Sequence, residues 1–209
     1  MDLDRFVVRR RIALDAAPTE VVAHPSKPRG FVLAPRGGTV FEIDAATLAV
    51  SRRARLGEEA VAMRLAPAGE ALWVLCRQPA ALIELPLDSF RPGRRVRLPE
   101  APDGFDIAAA GGRAAIASRP NGSITLVSLE RGAVERTIDA GAEPSILRFQ
   151  PDGRQLIVGS APQRSATIFD VASGRTVVRL PLAIAPRHFC FDRVPGGREG
   201  GQLFITGAL

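Results

Sequence analysis

The sequence predicts an all-β fold, a β-propeller of four-stranded antiparallel blades, with about five units present. Two observations predict it. Residue types recur at a spacing of 42, as in the apolar series Val32, Val74, Ile116 and Val158. Short strand–turn–strand patterns fill each period. A period of about 40–45 residues with four strands per unit is the signature of a propeller.

The clearest strand–turn–strand pattern lies at 149–160, FQPDGRQLIVGS. Pro151 presets the φ angle of a tight turn, Asp152 can accept a hydrogen bond from its own backbone, and Gly153 tolerates a positive φ. A buried apolar strand follows the turn. This segment therefore predicts the end of an inner strand and the whole of the next strand outward.

The period divides the chain into one propeller domain of five units, at about 15–56, 57–98, 99–140, 141–182 and 183–209, the last of them incomplete. Each complete unit reads as strands a to d, from the axis outward. We expect the inner strands to be apolar on both faces, because neighbouring blades cover both sides of each sheet.

The ring leaves two interpretations open. Arg5–Leu14 has the phase of an outer d strand but precedes any a strand, and unit five lacks the c strand that would pair with it. Either the ring is incomplete and is completed by further sequence or by a partner chain, or five units close with a short last blade. We favour the incomplete ring, because open blade edges invite aggregation and complete proteins avoid them.

Composition sets limits on the class of protein. Of the 209 residues, 46% are apolar, which predicts a globular chain, and the 17 prolines and 20 glycines suit many short strands joined by turns. No apolar run reaches the length of a membrane span. The acidic start without an apolar segment argues against a signal peptide, so we expect a cytoplasmic protein if Met1 is the native start.

Arginine dominates the charge. The net charge of +6 permits contact with nucleic acid or another acidic surface. However, arginines recur at the start of the outer strands, where we expect them to prevent edge-to-edge pairing of sheets. Nucleic-acid binding is disfavoured, because single strands are held by aromatic stacking and this chain has one tryptophan and no tyrosine. The recurring residues are Arg10, Arg52, Arg94 and Arg136 in one series, and Arg11, Arg53, Arg95 and Arg179 in another.

A candidate ligand-binding ring lies at the residues that begin the inner strands, where loops converge near the axis. It comprises Glu20, Asp103, Ser145, Arg187 and His188. The alternative interpretation is that these side chains solvate the loops and satisfy the strand ends. The units differ at these positions while they agree elsewhere, which favours a ligand site. No catalytic residue is identified.

We expect no metal site and no cofactor. The chain has two histidines, His24 and His188, in different repeat phases and without zinc-ligand spacing. It also lacks a nucleophile elbow, a phosphate loop and a dinucleotide fingerprint. Cys76 and Cys190 lie in apolar strand patterns, so we expect both to be buried free thiols.

Two segments resemble known propeller repeats. Residues 144–158, PSILRFQPDGRQLIV, and 167–177, TIFDVASGRTV, resemble the YVTN-type repeats of lactonase-like seven-bladed β-propellers. The chain departs from that family in lacking its tyrosine-rich b strand, and it lacks the Trp-Asp endings of WD40 repeats. The resemblance implies a seven-bladed ring. Members of that family include lactone hydrolases and periplasmic or surface repeat proteins, and they are often exported.

Three functions follow from these observations. The first is a non-enzymatic binding scaffold that holds a partner protein or a small ligand on one face. The alternative, implied by the resemblance, is a lactonase-type hydrolase that acts on a sugar lactone at the axis with Glu20, Asp103, Arg187 and His188. His188 would serve as acid–base if the fold brought it to a carboxylate. The third is binding to an acidic surface through the arginines of the rim.

Overall fold

The structure is a computed structural model that describes Val8 and residues 10–57, 59–141, 143–191 and 202–208. The described residues form eighteen strands and no helix. They make four antiparallel sheets of four strands and one sheet of two strands. In each four-stranded sheet the strands lie in chain order from one edge to the other, as in β1-β2-β3-β4. The all-β prediction and the four-stranded antiparallel blades are confirmed.

Each sheet is one blade, and we name its strands a to d in chain order. Blade 1 contains β1 Glu20–Ala23, β2 Arg29–Ala34, β3 Thr39–Asp44 and β4 Ala49–Arg55. Blade 2 contains β5 Glu59–Leu65, β6 Ala71–Gln78, β7 Ala80–Pro86 and β8 Arg95–Arg97. Blade 3 contains β9 Gly104–Ile107, β10 Arg113–Ser118, β11 Ser123–Ser128 and β12 Ala133–Asp139. Blade 4 contains β13 Ile146–Phe149, β14 Gln155–Ser160, β15 Ser165–Asp170 and β16 Thr176–Pro181. Blade 5, within the described residues, contains β17 Ala185–Phe191 and β18 Leu203–Ala208.

The turn at 150–154 forms as its residues dictate. Phe149 pairs with Leu156, so the hairpin closes directly around it. Gly153 has a φ of 69°, in the left-handed region, and its N–H donates to the carbonyl of Gln150 at 2.9 Å. The carboxylate of Asp152 accepts the next N–H, that of Arg154, at 2.9 Å.

The core lies between the blades. Phe31, Leu33, Val40 and Ala54 on one face of blade 1 pack with residues of blade 2 such as Met63. The residues 42 positions later occupy the same places between blades 2 and 3: Trp73, Leu75, Leu82 and Val96. Another step of 42 reaches the interface between blades 3 and 4: Ala115, Ala117, Ile124 and Ile138. The 42-residue period in the sequence is therefore the physical repeat of the fold.

The inner strands contact one another in chain order, from β1 to β5, β9, β13 and β17. Within the described residues β17 and β18 pair only with each other, and the ring is not closed. Unit five as we delimited it, at 183–209, lies partly outside the described residues, which do not include 192–201 and 209.

The outer strand expected at Arg5–Leu14 is absent from its described part, because Val8 and residues 10–14 form no strand. Leu14 at the end of this segment nevertheless occupies the place of an outer-strand residue. Leu14 packs on Val32 and Phe41 of blade 1, just as Leu56 packs on blade 2. Within the described residues no c strand lies beside the segment, so it has no partner for a ladder of backbone hydrogen bonds.

The arginines of the outer strands also join neighbouring blades, a role that edge protection did not predict. Arg52 donates to the carbonyls of Leu87 and Asp88 at 2.7 and 2.9 Å. The second series bonds in the opposite direction, as in Arg95, which donates to Leu56 in blade 1 at 3.2 Å. Four further members follow the same pattern: Arg94 to Leu129 and Glu130, Arg136 to Val171 and Ala172, Arg10 to Thr47, and Arg179 to Ala140. Arg53 instead pairs with the carboxylate of Asp15 at 3.2 Å.

The two thiols differ in their environment. Cys76 is buried between blades 1 and 2, and burial raises the pKa of its thiol to about 11. Cys190 is exposed, so the prediction of a buried thiol is wrong there. Its strand neighbours Phe189 and Phe191 pack on blade 4. Since side chains alternate along a strand, Cys190 points to the other side of blade 5, which no described sheet covers.

Candidate functional site

The five predicted site residues lie where the a strands begin. We call this side of the molecule, with its d–a loops and b–c turns, the entry face. Glu20 is the first residue of β1, and Asp103 and Ser145 directly precede β9 and β13. Arg187 and His188 lie within β17.

Glu20 belongs to a row of charges along the inner strands of four blades. Its carboxylate accepts the backbone N–H of Met63 at 2.7 Å and pairs with Arg64 at 2.5 Å. Asp106 pairs with the guanidinium of Arg148 at 2.6 Å and lies 3.8 Å from that of Arg64. Opposite charges thus alternate from blade 1 to blade 4. We call this row the axial ladder: Glu20, Arg64, Asp106 and Arg148.

Asp106 is the most buried member of the axial ladder. Its carboxylate also accepts the backbone N–H of Phe149 at 3.0 Å. Inner strands pair on one side only, so their other N–H groups need such partners. The guanidinium of Arg64 stacks over the ring of Phe105 at 5.6 Å, and its buried Nε has no hydrogen-bond partner among the described residues. The axial ladder therefore ties blades together with both ionic and backbone contacts.

Asp103 lies in a second group on the entry face. Its carboxylate accepts the backbone N–H of Arg119 at 2.8 Å and pairs with the guanidinium groups of Arg119 at 3.1 Å and Arg77 at 3.4 Å. Arg77 in turn pairs with Glu59 at 2.5 Å. The Asp103 side chain is only 10% exposed, whereas that of Arg119 is 52% exposed. We call this group the loop cluster: Glu59, Arg77, Asp103 and Arg119.

The other three predicted residues make fewer contacts. The backbone N–H of Ser145 donates to Gly159 at 3.1 Å, and the side chain is half-buried. Arg187 lies at a register shift of β17, and both it and His188 are exposed. None of the five predicted residues hydrogen-bonds or forms an ion pair with another of them. Glu20 and Asp103, the two carboxylates considered for His188, instead face arginines.

We did not predict the charged residues Arg64, Asp106 and Arg148 inside the inner strands. The expectation that inner strands are apolar on both faces is wrong at these positions. The sequence did hold a signal, because Arg64, Asp106 and Arg148 are spaced by 42 residues and alternate in sign. Arg77 and Arg119 of the loop cluster are also spaced by 42, at the ends of two b strands. The pairing of a charge with another blade cannot be recognised from a single unit.

A cleft of about 400 Å³ lies on the opposite side of blade 1, where β2 and β4 begin. The buried carboxylate of Glu42 sits there between Arg29 at 3.0 Å and Arg52 at 2.5 Å. Burial by itself would raise the pKa of Glu42, but the hydrogen bonds and charge of Arg52 hold it below the usual value. Arg52 also stacks over Phe90 at 4.6 Å. Arg52 also donates two hydrogen bonds to blade 2. We therefore interpret this cleft as a structural contact between blades 1 and 2 and not as a ligand site.

Among the described residues, no group of three or more His, Cys, Asp or Glu side chains is placed to hold a metal ion. In the same part of the chain there is no helix of the length and apolarity that a membrane crossing requires.

Solved structures share this architecture. The Cps50 (Swd1) β-propeller domain of Myceliophteria thermophila is similar with a TM-score of 0.78 and 16% identity, over 93% of this chain and 64% of that one. Kuenenia stuttgartiensis hydrazine synthase is similar with a TM-score of 0.71 and 20% identity, over 83% of this chain and 52% of that one.

The chain thus spans between half and two thirds of the length of these two structures. No protein-family model matches it, and no curated protein sequence matches it. Sequence identities this low support a shared fold but not a shared activity. The strand order, the 42-residue repeat and these similarities together show a β-propeller, a fold commonly used as an interaction platform.

Proposed function

We propose that this chain is a non-enzymatic β-propeller scaffold that binds a partner presenting carboxylate groups to its entry face. The observation that carries the proposal is the loop cluster. Arg77 and Arg119 share the nearly buried carboxylate of Asp103, and Arg77 also pairs with Glu59, while the two arginine side chains remain 34% and 52% exposed. An arginine that is already fixed loses little conformational freedom on binding, and arginines are enriched among the residues that dominate interfaces.

Two further observations support a scaffold. The resemblance of residues 144–158 to YVTN-type repeats is compatible with it, because that family includes repeat proteins as well as lactone hydrolases. The carboxylates of Glu20 and Asp103, which the lactonase alternative needs, are engaged by Arg64 and by Arg77 and Arg119. Neither carboxylate hydrogen-bonds to His188, to which the lactonase alternative assigns the acid–base role.

The test uses a labelled hexaglutamate peptide as the probe and measures its dissociation constant by fluorescence anisotropy. We expect Arg119→Gln to weaken binding about tenfold. The matched control is Arg154→Gln, which makes the same change at an exposed arginine in the a–b turn of blade 4, on the opposite face. Binding should also weaken with added salt, because both partners are solvent-exposed.

Equal weakening by Arg119→Gln and Arg154→Gln would reduce the effect to net charge and overturn the proposal. A panel of sugar lactones provides the second measurement, for which we expect no turnover. Turnover that His188→Ala abolishes would establish the lactonase alternative instead.

A further inference from the structure

Blade 4 differs from blades 1 to 3 in the outer half of the face that it turns to the next blade. Ala54, Val96 and Ile138 hold the same position in successive d strands and are 5%, 2% and 8% exposed, each packed between its own blade and the next. Leu180 is the fourth member of the series and is 39% exposed. A large apolar side chain thus remains in solvent at a position that is otherwise core.

The arginine series that contains Arg52 also changes in blade 4. Arg52, Arg94 and Arg136 each donate to carbonyls in the turn after the c strand of the next blade. The fourth member is Val178, which is 38% exposed. It pairs across the strands with Ile168, whereas Arg52 pairs with Glu42. Valine donates no hydrogen bond, so this surface is not built to receive the c–d turn of another blade of the same kind.

The exposed residues form one surface with the interface that already exists between blades 4 and 5. Ile168 and Leu182 pack at the edge of the cluster that contains Phe189 of β17. We call the surface the outer patch: Ile168, Val178, Leu180 and Leu182. Beside it, β18 pairs only with β17 among the described residues. Its other edge carries N–H and C=O groups that no described strand pairs with.

Blade 2 shows what covers the equivalent surface of blade 1. Its c strand, β7, pairs with β6 and places Ala81, Ile83 and Leu85 in the cluster that buries Ala54. A strand added beside β18 would lie in the same relation to Leu180. Its backbone would pair with β18, and its alternate apolar side chains would cover the outer patch.

We propose that a β-strand from a partner polypeptide, apolar at alternate positions, adds to the free edge of β18 and covers the outer patch. The site differs from the entry face in chemistry and in location. It uses backbone pairing and apolar burial, whereas the entry face uses exposed arginines. The occupant is a foreign strand because the repeated arginine that contacts the chain's own turns is replaced by Val178.

The probe is a labelled synthetic peptide with the sequence of β7, AALIELP, which carries the apolar side chains but stops before the turn that Arg52 contacts. We expect saturable binding by fluorescence anisotropy, about tenfold weaker for Leu180→Asp and for Val178→Asp. The matched control is Val134→Asp in β12, a valine with the same 38% exposure on another outer strand. All three variants should keep the thermal stability of the wild type, because the substituted side chains are exposed.

Absence of binding, or equal weakening by Val134→Asp and Val178→Asp, would overturn the proposal. So would equal binding of a peptide in which the positions of Ile83 and Leu85 carry aspartate. Sedimentation of the unliganded protein tests a second copy as the occupant: self-association that Leu180→Asp abolishes would contradict a foreign strand. Arg119→Gln should leave binding of this peptide unchanged, which separates the result from the entry face.

Discussion

At the scale of single residues, Asp106 shows how one buried charge can hold three partners. Its neighbours along β9, Phe105 and Ile107, are apolar, and its side chain is 8% exposed. A buried carboxylate is costly unless charged and hydrogen-bonding groups compensate it. Arg148 and the N–H of Phe149 supply that compensation directly, and Arg64 contributes its charge from 3.8 Å.

Asp106→Asn should lower the free energy of unfolding by about 3 kcal/mol, because it leaves the partly buried Arg64 and Arg148 without their shared counter-charge. Urea unfolding followed by the fluorescence of Trp73, the single tryptophan, which is buried, measures it. Asp152→Asn is the control, since that carboxylate lies in an exposed turn. Equal losses for the two variants would show that the ionic contacts of Asp106 do not matter.

At the scale of elements, the outer strands of blades 1 to 3 do more than end a sheet. Their arginines Arg52, Arg94 and Arg136 reach the turn that follows the c strand of the next blade. An N–H of a charged group donating to a carbonyl is stronger than a neutral hydrogen bond. The guanidinium is suited to this role because one group can reach two carbonyls, as Arg136 does with Val171 and Ala172.

Arg136→Lys keeps the charge but loses the forked geometry, so we expect it to lower the free energy of unfolding by about 1–2 kcal/mol. Urea unfolding again provides the measurement. Arg131→Lys is the matched control in the same blade, where the exposed side chain makes no hydrogen bond within the described residues. If Arg136→Lys proves as neutral as Arg131→Lys, the contact between blades 3 and 4 does not depend on the fork.

At the scale of the whole molecule, the inner strands of successive blades contact one another, and a glycine sets how closely blades 3 and 4 approach. Gly104 begins β9 and lies against the residue that precedes β13. A Cβ at Gly104 would lie 2.7 Å from the carbonyl oxygen of Ser145, a backbone atom that cannot rotate away. The absence of a side chain there permits the close approach of blades 3 and 4.

Gly104→Ala should therefore force the two inner strands apart and lower the free energy of unfolding by about 1–2 kcal/mol. Thermal and urea unfolding would both report it. Gly30→Ala is the control, because a Cβ there would lie 3.6 Å from the nearest atom, an ordinary contact. That change should be neutral, or slightly stabilising because alanine leaves the unfolded chain less conformational freedom than glycine does. A stabilising effect of Gly104→Ala would contradict the packing described for the axis.

Much of the architecture could be predicted from the sequence, and much of the site could not. The turn at Pro151–Gly153 and the strand after it depend on neighbouring residues, so local patterns were sufficient to find them. Glu20 and Asp103 were located at the starts of inner strands, but their arginine partners lie in other parts of the chain. Cys190 was misjudged because its apolar neighbours Phe189 and Phe191 cover only one side of the strand.

By itself the sequence determined the size of the repeat and the order of strands within a blade, because alternation, turn residues and spacing act over short distances along the chain. Only the tertiary structure decided which charges meet, as in the axial ladder and the loop cluster. Those contacts join residues in different blades. Their geometry depends on how closely the blades pack at the axis and on which face of each sheet the next blade covers.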